Sequence, residues 1–344
     1  MKIVYHPISG GENIYIDMII NGLKKRKFEV LPLSGFLSNF LEVKIIHLNW
    51  YENIGSLLNF LNKSTKLIVY KILGKKVLWT MHNKEPHENA HPFLQRVFTN
   101  LLIFLADKII IHSWDTKKIL AKKGRRIAEK TFYLPHPAYI DMYGSIHDRD
   151  VTKPKDPVLK LLFVGLVRPY KNLELLIDSV ETIGKDVRLL IVGKPKNKEY
   201  AEEIRDKISN VPNIEHDLRF IENNELIEYL YDCDLVILPY KMDSVLNSGA
   251  VMLSFSYGKS VICPNIGTIN DIKDKSALLN YTYSNEKEHK KILTQTIEKA
   301  VALKKISPKV FDEWGLQMKN YVEEFHDKEV IIDRLAKLYQ EIAD

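Results

Sequence analysis

Cysteine is nearly absent from these 344 residues: Cys233 and Cys263 stand far apart, each inside an apolar run. Two such thiols make neither a disulfide framework nor a zinc knuckle, and they point to a reducing, intracellular compartment. Glycine (15) and proline (14) are too sparse for a collagen-like or low-complexity chain. No apolar run approaches the ~20 residues of a membrane span. The opening MKIVYHPISGG lacks the charged region, long apolar core and cleavage site of a secretory leader, so a cytoplasmic protein is expected. Gly10-Gly11 follows the first apolar run without the rest of the G-x-G-x-x-G fingerprint, which argues against NAD. What remains is 45% hydrophobic and 27% charged, ample for a folded core, and at roughly 150 residues per domain the length predicts two domains.

Acidic residues are scarce in the first half. Residues 1–150 carry 22 Lys and Arg against 13 Asp and Glu, while the rest carries 28 against 31. The basic clusters are Lys24–Lys27, Lys71 with Lys75 and Lys76, and Lys117–Arg126. Solvated helix faces explain such runs. An anionic membrane surface explains them equally, and better than nucleic acid, for which no reading module or interleaved aromatics are present. The segments 57–72 and 92–105 are apolar with basic or polar breaks. They are expected to be buried helices covering a sheet, although Leu57, Leu58, Phe60 and Leu61 beside Lys63, Lys66 and Lys71 would also suit a helix grazing a membrane.

Short apolar runs alternate with helical patterns along the chain. Strands are expected at 2–5, 28–31, 44–48, 76–80, 108–112 and 131–134. In Asn13–Lys25, Ile16, Ile19, Ile20 and Leu23 mark one helix face. HDRDVTKPKDP (147–157) reads as a linker. The alternation then restarts, with strands at 159–164, 187–192, 235–238 and 260–263, an Asn224-capped helix, and a charged tail of two or three helices from Glu286. The fold class is α/β: two doubly wound parallel sheets in tandem, with a ligand expected between the domains at the strand C-termini.

Two motifs carry chemistry. Gly165-Leu-Val-Arg168-Pro-Tyr-Lys171-Asn172 joins a strand to a helix, placing a glycine and two basic residues where helix amides also point outward, a combination suited to a diphosphate. Asp243-Ser-Val-Leu-Asn247-Ser248-Gly249-Ala250 opens a second helix, with Asn247 or Ser248 as its cap. Ordinary loop and capping chemistry explains either motif alone. Two anion-ready helix starts in one domain are harder to dismiss.

Here the sequence resembles a family. FVGLVRPYKNLELLI, LIVGKP, NELIEYLYDCDLVILPY and LNSGAVMLSFSYGKSVICPNIGTI resemble the nucleotide-sugar-binding half of family 4-like glycosyltransferases with the GT-B fold. Pro7–Gly11, Trp79–Asn83 and Ile110–Ser113 match the first half more loosely. The resemblance implies an acceptor-side Rossmann-like domain at 1–150, a nucleotide-sugar domain at 151–325 facing it across a cleft, and a helix at 326–344 crossing back to the first. It implies diphosphate contacts from Arg168, Lys171, Ser248, Gly249 and Ala250, and nucleotide contacts from Gly165, Gly193 and Lys194. Gly10 and Gly11 would form a donor- or acceptor-side loop, while Asn49 and Trp50 end a strand where Trp50 and Tyr51 could stack on an acceptor sugar, core packing explaining Trp50 equally well. The expected reaction moves a sugar from a UDP-sugar or GDP-mannose to a sugar hydroxyl on a glycan or lipid-linked glycan. No cofactor and no metal is expected. The enzyme would sit in the cytoplasm or peripherally on the inner face of the membrane. Aligning on Gly258 puts Val245 and Leu253 where many members carry two glutamates, so ribose binding must differ and either stereochemical course stays open.

The acceptor side should supply a base. His82-Asn-Lys-Glu85-Pro-His87-Glu88 follows a strand, so His82 can touch the donor sugar while Glu88 or Glu85, and less readily Asp17, accepts a proton over about 2.6–3.2 Å. Hydrogen-bonded loop histidines are the plainer alternative. Two other functions keep the fold: a nucleotide-sugar epimerase or phosphorylase, and a non-catalytic partner subunit of a transferase.

Overall fold

The computed structural model describes residues 1–9, 11, 13–83, 91–144 and 157–343. It forms two compact units: Met1–Pro137 with Asp327–Asp344, and Ala138–His326. The sequence places the first boundary at 150, but the chain joins the second unit earlier. The Ala138 amide donates to the His326 carbonyl at 2.8 Å and the Tyr139 amide to Ser256 Oγ at 2.8 Å.

The first unit is built on a parallel sheet of β1 (Lys2–His6), β2 (Glu29–Leu31), β3 (Val43–Asn49), β4 (Lys76–Met81), β5 (Lys108–Ile111) and β6 (Thr131–Tyr133). Its order is β2-β1-β3-β4-β5-β6. Strands β3 and β4 are buried at all but one position each, as expected of apolar runs covered on both faces. The order reverses between β1 and β3, so the loops after these two strands flank the unit's switch point.

The second unit carries β7 (Leu159–Val164), β8 (Val187–Val192), β9 (Ile214–Asp217), β10 (Leu235–Ile237), β11 (Val261–Pro264) and β12 (Leu279–Tyr281), in the order β12-β11-β10-β7-β8-β9, again parallel. Its switch point lies between β7 and β10. The two edges, β9 and β12, are not among the expected strands: β9 (IEHD) is half exposed and polar, and β12 (LNY) is three residues with a central Asn, so neither shows an apolar run. The helix expected to start at Asn224 spans Asn223–Asp232, capped by Glu222, whose side chain pairs with the Glu225 position in a capping box. The charged tail forms three helices, Glu286–Ile306, Val310–Phe325 and Lys328–Ala343.

Helix Lys328–Ala343 belongs to the first unit. The Tyr339 hydroxyl bonds to His47 Nδ1, and Arg26 pairs with Glu329 at 3.1 Å and Asp333 at 2.5 Å. Gly22 lets this contact close, since a Cβ there would stand 2.3 Å from Ile332 Cδ1.

Helix Leu57–Ile72 corrects an expectation. It was expected to be a buried cover for the sheet, yet only Leu67 and Tyr70 of its sixteen residues are buried. Helix Pro92–Leu105, which packs beside it, buries Gln95, Phe98, Leu102 and Ile103. Among the described residues no helix is long and apolar enough to cross a membrane.

Candidate functional site

In the second unit both sequence motifs sit at the switch point. After β7, Gly165 turns the chain at φ 127°, and after β8, Gly193 does so at φ 141°. A Cβ on Gly193 would lie 1.9 Å from the Gly165 carbonyl oxygen, so the loops can run this close only with glycine there. Pairing continues outward: the Val167 amide donates to the Lys194 carbonyl at 2.9 Å, and the Lys196 amide to the Val167 carbonyl at 3.0 Å. Arg168 then heads a single 3-10 turn, Pro169–Lys171, and Asn172 in the left-handed region (φ 55°) starts helix Leu173–Ile183.

Lys171 is the centre of this site. Its Nζ donates to the Tyr240 hydroxyl at 3.0 Å and lies 4.1 Å from the Tyr240 ring centroid and 5.2 Å from that of Tyr170. Among the described residues no carboxylate pairs with it. Burial strips water from the ammonium and pulls its pKa from 10.5 down to about 7. The Tyr240 hydroxyl also bonds Ser248 Oγ at 2.8 Å. Ser248 in turn caps helix Gly249–Ser256, accepting from the Val251 amide at 3.2 Å, and its own amide donates to Thr268 Oγ1 at 3.0 Å. Ser248, rather than Asn247, is thus the cap. The Gly249 and Ala250 amides begin the helix and point out of its end. One buried phenol links the loop lysine to the second helix start.

Behind Asn172, His289 stacks on Tyr283 at 3.8 Å and bonds the Tyr281 hydroxyl through Nε2 at 2.9 Å, and burial holds its pKa down at about 4. Val245 and Leu253, at the positions where many members of the resembled family carry glutamates, are buried core side chains.

In the first unit, His82, His112 and His136 come from the ends of β4, β5 and β6. Their rings are neighbours, with centroids 5.3 Å apart for His82 and His112 and 5.4 Å for His112 and His136. Tyr15 lies against all three. His112 Nδ1 donates to the Leu134 carbonyl at 2.7 Å, which leaves Nε2 to accept from the Tyr15 hydroxyl at 3.3 Å. Asn49 is oriented by donating its amide to the His6 carbonyl at 3.1 Å, so its Oδ1 accepts from His82 Nε2 at 3.0 Å and Nδ1 is the acceptor of that ring. Trp50, in the left-handed region at φ 47°, stacks on His82 at 4.0 Å. Burial, reinforced by the neighbouring imidazoles, keeps the His82 pKa well below 6.5, so its ring is neutral at pH 7.

Of the expected residues, Arg168, Lys171, Ser248, Gly249, Ala250, Gly165, Gly193 and Lys194 occur on the loops and helix start after β7, β8 and β10. His82, Asn49 and Trp50 form one contact group in the first unit, and Gly11 turns at φ 55°. Glu85, Glu88 and Gly10 lie outside the described residues. Asp17 is half-buried in the first turn of helix Ile14–Lys25. Sequence reasoning missed Tyr240, Tyr15, His112 and His136 as site members. A histidine at or just past the end of three successive strands was the available signal. Among the described residues no three His, Cys, Asp or Glu side chains converge as a metal site.

Residues 159–298 match the family model described as "Glycosyl transferases group 1". Over 231 residues the chain is 27% identical to a GDP-mannose:glycolipid 4-beta-D-mannosyltransferase of Xanthomonas campestris pv. campestris, covering 64% of this chain and 61% of that protein. The chain therefore spans about three fifths of the length of that relative. Among solved structures, sucrose-phosphate synthase of Thermosynechococcus elongatus superposes with a TM-score of 0.74 at 16% identity, covering 99% of both chains. Anabaena HepE in complex with UDP-glucose superposes with a TM-score of 0.70 at 15% identity, covering 99% of this chain and 100% of that one. The chain thus has two Rossmann-like units of the GT-B type and is related to glycosyltransferases that use nucleotide sugars.

Proposed function

We propose that the protein is a metal-independent glycosyltransferase. It would move a sugar from a nucleoside-diphosphate sugar to a sugar hydroxyl on a lipid-linked or polysaccharide acceptor of surface-glycan synthesis. The observation that carries this reading is the chain Lys171–Tyr240–Ser248, which ties a buried ammonium with no carboxylate partner among the described residues to a helix start at the switch point. A diphosphate brings the missing negative charge. Lys171, Arg168 and the amides of Gly249 and Ala250 would hold that charge as it grows on the leaving group. The Xanthomonas relative, named for a glycolipid acceptor, supports the lipid-linked form of the reading. In the first unit, the His82 ring, held by Asn49 and Trp50, would be the side chain that contacts the sugar.

Calorimetric titration with UDP and with GDP tests the donor reading. Saturable binding of one of them is expected, weakened at least ~10-fold by Arg168→Ala, the scale of losing one hydrogen bond to a charged group. Binding of neither nucleotide would remove the reading. Product formed from the nucleotide sugar without any acceptor would make the protein an epimerase instead.

Tyr240→Phe isolates the linking hydroxyl. It leaves the ring over Lys171 but removes the oxygen that Lys171 and Ser248 share. Nucleotide binding is expected to weaken by ~1–3 kcal/mol, the usual range when a buried donor loses its partner. Nucleotide affinity equal to that of the unaltered protein would mean that the phenol plays no part in the site.

A further inference from the structure

Helix Leu57–Ile72 is apolar on two sides. Leu67 and Tyr70 face the core, and on the opposite side Leu57, Leu58, Leu61, Ile68, Val69 and Ile72 fall within an arc of about 120° at 3.6 residues per turn. This second stripe faces water: Leu58 is 79% exposed and Ile72 77%. Helix Pro92–Leu105 repeats the pattern beside it, with Phe93 at 76% and Phe104 at 75% exposure, and Val97 exposed between them. The two helices connect β3 to β4 and β4 to β5. Successive right-handed crossovers in one direction put both on the same face of the sheet, so their exposed stripes share one surface. Neither helix contains an Asp or Glu.

The margin is basic. Lys66 and Arg96 are exposed on these helices. Lys123 donates to Asn100 Oδ1 at 3.0 Å and Lys130 to the Phe104 carbonyl at 2.7 Å, so lysines from the following segment border the Phe104 end. The nearby acids are neutralised: Asp107 by Lys71 at 2.6 Å and Glu129 by Arg125 at 3.1 Å. Lys71, counted from sequence among the membrane-facing charges, is therefore engaged within the protein. An acid-free apolar surface fringed by cations matches the boundary between acyl chains and negatively charged headgroups. Scattered surface leucines would need no explanation, but a stripe along the full length of a helix, continued on its neighbour, does.

We propose that this face of the first unit docks on an anionic phospholipid bilayer, inserting the Leu58–Ile72 stripe and Phe93 and Phe104 at headgroup depth. The proposal stands on this surface alone and does not depend on the transferase reading. Co-sedimentation of the full chain with phosphatidylglycerol/phosphatidylcholine vesicles, against phosphatidylcholine alone, tests it. The unaltered protein is expected to bind the anionic vesicles and to bind the neutral ones at least ~10-fold more weakly, with the difference shrinking as salt rises. L58E/I72E is expected to lose anionic-vesicle binding at least ~10-fold while keeping its circular dichroism and its nucleotide affinity. L58S/I72S serves as the milder pair should the first not fold. No vesicle binding by the unaltered protein, or undiminished binding by both variants, overturns the proposal. A dimer that L58E/I72E converts to a monomer, with no vesicle binding by either, would overturn it too and assign the face to a second copy of the chain.

Discussion

Lys171→Met is expected to lower sugar transfer at least ~100-fold, the scale of removing one group that stabilises a developing anion. The methionine fills the space under the Tyr240 ring without the charge, so folding should survive while diphosphate binding falls. Arginine should not rescue it, since the larger guanidinium would have to enter a buried site that a compact ammonium fills beside the Tyr240 and Tyr170 rings. The same residue dictates a pH dependence. Without ligand its pKa is about 7, and a bound diphosphate favours the charged form, so binding above pH 7 takes up a proton. Affinity should therefore weaken as pH rises from about 7, by up to about tenfold per pH unit. Calorimetry at pH 8 in two buffers of different ionisation enthalpy measures that uptake. Binding without proton uptake, or uptake that persists in Lys171→Met, would show that Lys171 does not meet the anion. The folded state has the opposite trend. Because folding lowers this pKa from 10.5, the unfolded chain binds the extra proton between pH 7 and 10.5, and this group's contribution to stability rises across that window.

Gly193→Ala should be the most damaging methyl in the second unit. The added carbon would stand 1.9 Å from a backbone oxygen of Gly165, which cannot rotate away, and φ 141° is strained for any L side chain. Overpacking and backbone strain together predict a loss of about 3 kcal/mol. Gly165→Ala is the comparison: its φ is 127°, but nothing lies within 4 Å of the new carbon, so only the strain, about 1–2 kcal/mol, is expected. Urea unfolding of the full chain followed by hydrogen exchange resolves the two units. Equal effects from the two substitutions would mean that the contact between the loops carries no energy.

The central strands were legible because β3, β4, β7 and β8 are buried at most positions and therefore carry apolar runs. The edges β9 and β12 were not, since IEHD and LNY share their composition with loops. Both loop motifs of the second unit could be placed because each joins a strand to a helix within a dozen residues. Tyr240, which links them, looked like one more aromatic after a strand. Its role depends on two partners brought to it by the sheet order. The imidazole cluster was hidden for the same reason: Tyr15, His82, His112 and His136 are distant in sequence and meet only because β4, β5 and β6 lie side by side with helix Ile14–Lys25 above their ends. Helix Leu57–Ile72 misled because apolar composition states how much grease a segment carries, not which side of it meets the core. A further case is the ion pair between Lys304 and Asp234 at 2.5 Å, almost fully buried, whose partners give no local sign of each other.

The attachment of Asp327–Asp344 to the first unit sets an order of assembly during translation. The second unit is one unbroken stretch, Ala138–His326, and can close as soon as it leaves the ribosome. The first unit cannot. Until helix Lys328–Ala343 emerges, His47 lacks the Tyr339 hydroxyl, Arg26 lacks both carboxylates, and the surface that receives Ile331, Ile332 and Leu335 stays wet. Residues 1–137 are thus completed only after the second unit has been made, and for the time needed to make some 190 residues, roughly 10–40 s at 5–20 residues per second, they wait as a partly open sheet. A nascent chain in that interval is the form in which chaperone contact and premature association would concentrate.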